Sequence, residues 1–186
     1  PNSVYVPESY LALGEYYFEH NMLFYAKNNY EAIINNFKRA SMYNYALYKL
    51  AWVFYNLREY DKSISTFKAV IEQLGGSGSS RVIEFREQGL NDLVRVYAEV
   101  DEGWQRGRKY FLSKMDEEKT YKRLRALGEL LMGMDKDEEA ISLYEHFLEK
   151  FPRHVEGISW WENILGIRVE QNVLPQIEKD TRRMVI

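Results

Sequence analysis

One spacing recurs four times along this chain and limits its fold more than any other feature. A large residue is followed three positions later by a second, then at once by a third position that is small or, once, valine, and three further on by another large one. The first copy is Tyr10, Leu13, Gly14 and Tyr17, and the second Leu47, Leu50, Ala51 and Phe54. A weaker third copy has Leu90, Leu93, Val94 and Tyr97, and the fourth has Leu124, Leu127, Gly128 and Leu131. Intervals of three and four residues put such positions on one face of a helix. Downstream of each copy an aromatic residue stands on a second helical stretch. It follows a small residue by four in Ala26 and Tyr30, Ser63 and Phe67, and Ala140 and Tyr144, while the third copy offers Tyr110 or Phe111. Small residues let two antiparallel helices approach closely, and large neighbours fill the gaps. Each pair leaves one face bare, which the next pair buries.

The rest of the chain agrees with an all-α fold. Its four prolines stand at 1, 7, 152 and 175, and strand-like alternation bounded by turn residues is scarcely found between them. At 186 residues the chain has the size of one domain or one modest repeat array, with 46% hydrophobic and 28% charged residues, as in globular proteins.

The spacing of Tyr10, Leu13, Gly14 and Tyr17, repeated as above and closed in the fourth copy by Pro152, resembles the tetratricopeptide repeat. The resemblance covers roughly residues 7 to 154 and implies a right-handed α-solenoid of antiparallel helix pairs. Residues 1–6 then form the tail of a preceding segment, with repeats over 7–43, 44–77, 87–120 and 121–154. Residues 155–186 form capping helices or part of a fifth repeat. Repeat starts near 7, 44, 87 and 121 make the second unit much longer than the usual period of about 34. The excess falls in "LGGSGSSRV", Leu74 to Val82, where Gly and Ser are expected to break any helix, with a loop at 75–80 that is a mobile edge, a hinge or a linker. In the last segment Ile158, Trp161, Leu165 and Val169 are expected to share a packed side, with Trp160 exposed and Pro175 in a first turn. The start at Pro1 and the helical ending "TRRMVI" suggest an excised piece of a longer protein.

The stretch "YNYALYKLAWVFYNL", Tyr43 to Leu57, carries two apolar stripes. Leu47, Leu50, Ala51 and Phe54 form one. Tyr45, Tyr48, Trp52 and Tyr55 form another, offset by roughly 140° on a helical wheel. In tetratricopeptide superhelices the first helix of each pair lines a concave groove. The resemblance therefore assigns to a partner-binding groove Leu11, Glu15 and Phe18 from the first unit and Tyr48, Trp52 and Tyr55 from the second. Asn91 and Arg95 come from the third, and Arg125, Glu129 and Met132 from the fourth. Eleven of the fifteen tyrosines lie in the first sixty residues, so the apolar part of the groove is expected N-terminally, with a polar, locally positive wall at Asn91, Arg95 and Arg125. Such a groove suits an extended or helical segment with apolar or aromatic anchors and a following acidic group. Two other uses of the second stripe stay open: packing between neighbouring first helices, and contact with further repeats of the chain or a second copy. "YALYKLAWVFYNLREYDKSISTFKAVIE" resembles the tyrosine-rich repeats of bacterial cell-envelope proteins, which implies a periplasmic or envelope setting, with the cytoplasm as the alternative.

Known tetratricopeptide clamps for acidic chaperone tails use Lys, Asn and Arg at set groove positions. The matching positions here hold Tyr48, Trp52, Asp92, Lys122 and Ala126, and only Lys122 fits. No cysteine is present, so disulfides, thiolate metal sites and Cys nucleophiles are excluded. His20, His146 and His154 are too scattered to pair on a metal. "DKDEEA", Asp135 to Ala140, lacks an EF-hand's loop and closing Glu and reads as a helix start. "GGSGSS" lacks the Lys-Ser/Thr end of a phosphate loop, and neither a G-x-S-x-G elbow nor H-E-x-x-H occurs. The expectation is a non-enzymatic scaffold with no cofactor. A net charge of −3 gives no basis for nucleic-acid binding, and no apolar run is long enough to span a bilayer. The expected partner is a protein or peptide, with a homo-oligomer as the alternative.

Overall fold

The computed structural model describes residues 5–75 and 78–184. Among them are ten α-helices, no strand, and no helix long and apolar enough to cross a membrane. The chain divides into two compact units, Pro1–Val100 and Asp101–Ile186.

Unit 1 holds α1 (Tyr5–Glu19), α2 (Leu23–Asn36), α3 (Tyr43–Asn56), α4 (Tyr60–Leu74) and α5 (Ser80–Glu99), each packed on the next. Its core gathers Ala26, Tyr30 and Ile33 from α2 against Ala46, Leu50, Val53 and Phe54 from α3. The small-residue positions explain how closely the helices lie. A Cβ on Gly14 would come within 2.6 Å of the Tyr30 ring, so α1 and α2 share that space only because Gly14 has no side chain. In the next pair the Ser63 hydroxyl, fully buried, donates to the Ala51 carbonyl at 2.9 Å. The first stripe of α3, Leu47, Leu50, Ala51 and Phe54, is buried as expected.

Unit 2 holds α6 (Gly103–Leu112), α7 (Glu117–Gly133), α8 (Asp137–Lys150), α9 (Gly157–Glu170) and α10 (Leu174–Met184), again packed in sequence. Phe111, not Tyr110, fills the core position of α6, four residues after the buried Gly107. Asp116 caps α7 by accepting from Lys119 N–H at 2.8 Å, and Glu117 and Glu118 follow in its first turn. At Gly128 an added Cβ would lie 3.1 Å from the Tyr144 hydroxyl.

Four pairs turn in the same way. Asn21, Arg58, Asp135 and Asn172 each take a left-handed conformation, with φ of 57°, 59°, 55° and 55°. In each case the next residue's N–H bonds a carbonyl five positions back: Met22 to Tyr17, Glu59 to Phe54, Lys136 to Leu131 and Val173 to Arg168. This is the Schellman closure, which satisfies the last carbonyls of a helix and reverses the chain. The α9/α10 pair therefore turns like the pairs of the clear repeats.

Three expectations are corrected. Helix α5 begins at Ser80, inside the stretch expected to be free of helix, because Val82 and Phe85 supply a packing face, with Phe85 edge-on to Tyr48 at 5.1 Å. Gly75, at φ 65°, ends α4, while Gly76 and Ser77 of the expected loop lie outside the described residues. Trp160 is buried, at 5% exposure, against Phe147 and His154. Accordingly α9 packs through Trp160, Ile164 and Ile167, leaving Ile158 63% exposed and Val169 exposed as well.

Candidate functional site

In unit 1 the second stripe of α3 is tied to its neighbours through hydroxyl and carboxylate groups. The Tyr48 ring, 7% exposed, meets the edges of Phe67 and Phe85. Its hydroxyl donates to Asp92 Oδ2 at 2.7 Å and accepts from Gln88 Nε2 at 2.8 Å. Trp52, half-buried, stands edge-on to Phe67 and Tyr55, and the Tyr55 hydroxyl donates to Glu99 Oε1 at 2.8 Å. Burial first, and the carboxylate partner next, push Tyr48 and Tyr55 up to about 12. Burial also raises Asp92, with the Tyr48 hydrogen bond and Arg95 pulling back. Both tyrosines thus stay neutral donors at ordinary pH.

The same device joins α1 to α3. Glu15 accepts from the hydroxyls of Tyr30 and Tyr45 and pairs with Lys49 at 3.1 Å. Lys49 Nζ lies 4.4 Å from the centre of the Phe18 ring, a cation–π contact. Leu11 and Phe18 are half-buried against the unit's core. Asn91 and Arg95 on α5 are exposed, Arg95 in the field of Asp92 and Tyr55. The eight unit 1 residues assigned to the groove lie on α1, α3 and α5, and most of their polar groups already have partners within the chain.

Unit 2 has open space of its own. Two cavities adjoin on α7 and α9. The first, about 250 Å³, is walled by Tyr121, Phe147, Phe151, His154 and Trp160, with Glu117, Glu118 and Arg125 at its edges. The second, about 580 Å³, is lined by Lys122, Ala126 and Glu129 of α7 together with Ser159 and Asn163 of α9, and Tyr144 of α8. Arg125, Glu156 and Trp160 line this second cavity too, and Arg125 Nη1 lies 2.6 Å from both carboxylate oxygens of Glu156. Arg125 and Glu129 thus come together on one face. Met132 sits further along α7, its sulfur accepting from the Tyr144 hydroxyl at 3.3 Å. Sequence reasoning missed Tyr121, Phe147, Phe151, His154, Glu156 and Trp160. The available signal was the density of aromatics around Pro152, where α8 ends and the chain must turn before α9.

Behind the first cavity the Tyr121 hydroxyl accepts from Arg108 Nε at 3.3 Å, leaving its proton for His146 Nε2 at 3.0 Å. Burial, and then the Arg108 charge, hold His146 below its ordinary 6.5. A base depressed in the folded state contributes stability that is complete above its unfolded pKa and is lost as pH falls. Between pH 7.5 and 5.5 the melting temperature of unit 2 is expected to fall more in the wild type than in His146→Gln, read by thermal unfolding at both pH values. Equal falls would remove His146 from the network's energetics.

Two stretches of the chain, residues 45–77 and 120–154, match a family model described as Tetratricopeptide repeat. The first takes in α3 and α4, and the second α7 and α8. A comparison with curated proteins finds no match. The chain, an all-α fold of the solenoid class built from helix pairs, carries two stretches that match the tetratricopeptide repeat.

Proposed function

We propose that this chain is a non-enzymatic scaffold that holds a segment of a partner protein along the first helices of its repeats. Tetratricopeptide repeats generally mediate protein–protein interaction, and the observation that carries the reading here is the pair of adjoining cavities on α7 and α9. One supplies aromatic walls. The other supplies Lys122, Glu129, Ser159 and Asn163, donors and acceptors able to fix the register of a bound main chain. Arg125 and Glu129 line the second cavity, Met132 adjoins it through Tyr144, and Leu11, Glu15, Phe18, Tyr48, Trp52, Tyr55, Asn91 and Arg95 are the corresponding candidates in unit 1. Tyrosine-rich repeats of this kind favour a bacterial cell-envelope assembly as the setting.

The test is capture of partners from source-cell extract by wild type, by Arg125→Ala/Glu129→Ala and by Trp52→Ala. The unit 2 pair is chosen because its groups are half-exposed or exposed, so that fold stability changes by about 1 kcal/mol or less. Loss of a partner by either still-folded variant is the expected result. Undiminished capture by both would contradict the groove.

A second reading, a repeat stacked on further repeats or on a second copy, is favoured by one surface. Leu13 on α1 is 46% exposed, whereas Leu50, at the same repeat position on α3, is 6% exposed beneath α2. Tyr16, Phe24 and Tyr25 extend that bare face. Helix pairs of this kind bury such faces by stacking.

A further inference from the structure

Resting on the scaffold reading, the geometry points to the first unit 2 cavity as a receptor for one cationic side chain of the partner segment, an arginine guanidinium. Size is the first argument. At about 250 Å³ the cavity falls below the roughly 300–1,000 Å³ of pockets that take whole small molecules, which suits a single side chain.

The walls are the second argument. Tyr121 and Phe151 meet edge to face at 4.7 Å, Phe147 lies 5.1 Å from Trp160, and His154 stacks on Trp160 at 5.0 Å. These contacts fix the rings against one another, so the cavity is preformed. Aromatic faces carry negative quadrupole charge and attract a cation that enters between them.

Charge at the mouth is the third argument. Lys150 is matched by Glu117 at 3.0 Å and Arg125 by Glu156. Glu118 remains to set a negative sign at the rim, where it is exposed. The Tyr121 hydroxyl is engaged by Arg108 and His146, and His154 Nδ1 accepts from the Glu156 N–H at 3.2 Å. Besides Arg125, already paired with Glu156, ring faces and carboxylates are therefore what a ligand meets. A guanidinium fits both, since it stacks flat on rings and forks onto carboxylates, whereas an ammonium is a compact, strongly hydrated point charge.

The experiment is an NMR titration of the whole isotope-labelled chain with N-acetyl-arginine amide, its neutral isostere N-acetyl-citrulline amide, and tetramethylammonium chloride. Saturable shifts centred on Tyr121, Phe151 and Trp160 are expected for the arginine probe, with a dissociation constant on the order of 1 mM. Citrulline amide is expected to bind about tenfold more weakly. Glu117→Gln/Glu118→Gln, a change at the rim of a helix start, should weaken the arginine probe about fivefold while the spectrum stays that of a folded chain. Equal binding of citrulline would make the cavity an apolar anchor site and overturn the assignment. Tighter binding of tetramethylammonium would overturn it in favour of a free quaternary amine. Absence of saturable shifts with the arginine probe would also overturn it. If that happens while the wild-type chain still captures a partner that Arg125→Ala/Glu129→Ala loses, the scaffold reading survives alone; if capture fails too, both fall.

Discussion

Phe67→Ala is expected to destabilise unit 1 by about 3–5 kcal/mol, the cost of deleting a fully buried aromatic side chain and leaving a cavity. Phe67 has no exposed surface, and both Tyr48 and Trp52 stand edge-on to its ring at 5.7 and 5.6 Å. It is the floor on which the second stripe of α3 rests. Removing it should therefore loosen the Tyr48–Asp92 and Tyr55–Glu99 links as well as the α3/α4 core. Hydrogen exchange at the amides of α3 to α5 would report this as a collapse of protection across the three helices. A loss confined to the few amides around residue 67 would show instead that each pair holds its own stability, and that the hydroxyl links carry little.

Phe147→Ala should act on unit 2 with similar size, about 3–5 kcal/mol. The ring is fully buried and touches Tyr121, Tyr144 and Trp160 at centroid distances of 5.7, 6.1 and 5.1 Å. It is thus both core and cavity wall. Chemical unfolding followed by the fluorescence of Trp160 and its neighbour Trp161 is the measurement. Phe147→Leu, which keeps most of the apolar volume, should recover more than half of the loss, and failure to do so would assign the effect to the specific ring contacts.

How much of this was legible in the sequence depends on what each residue's role requires locally. Gly14 and Gly128 could be read from spacing alone, because a close helix approach excludes any side chain, and Tyr30 and Tyr144 now occupy that space. The turns were harder. Asn21, Asp135 and Asn172 are residue types that tolerate a left-handed conformation, but Arg58 takes it too, and nothing in its chemistry announces that. Helix α9 was misread for a different reason. "ISWWENILGIRVE" is apolar on more than one side, so periodicity could not choose between Trp160 and Trp161. Contact with Phe147 and His154 decided for Trp160. The same limit applies to α3, where two stripes were visible but their use was not. Tyr48 reaches Asp92 and Gln88, and Tyr55 reaches Glu99, all forty or more positions away, pairings that no local pattern encodes. In unit 2 the candidate site draws on residues from α7, α8, the turn after α8, and α9, and only Arg125 and Glu129 had been assigned by alignment of repeats.

The most direct test of the scaffold account is a hydrogen-exchange footprint of the chain with a captured partner bound, compared with the chain alone. The account predicts added protection on α7, on α9 and in the turn from Phe151 to Glu156, where the two cavities open. Protection confined to α1 and α2, around Leu13, Tyr16, Phe24 and Tyr25, would contradict it and assign this chain to stacking against further repeats.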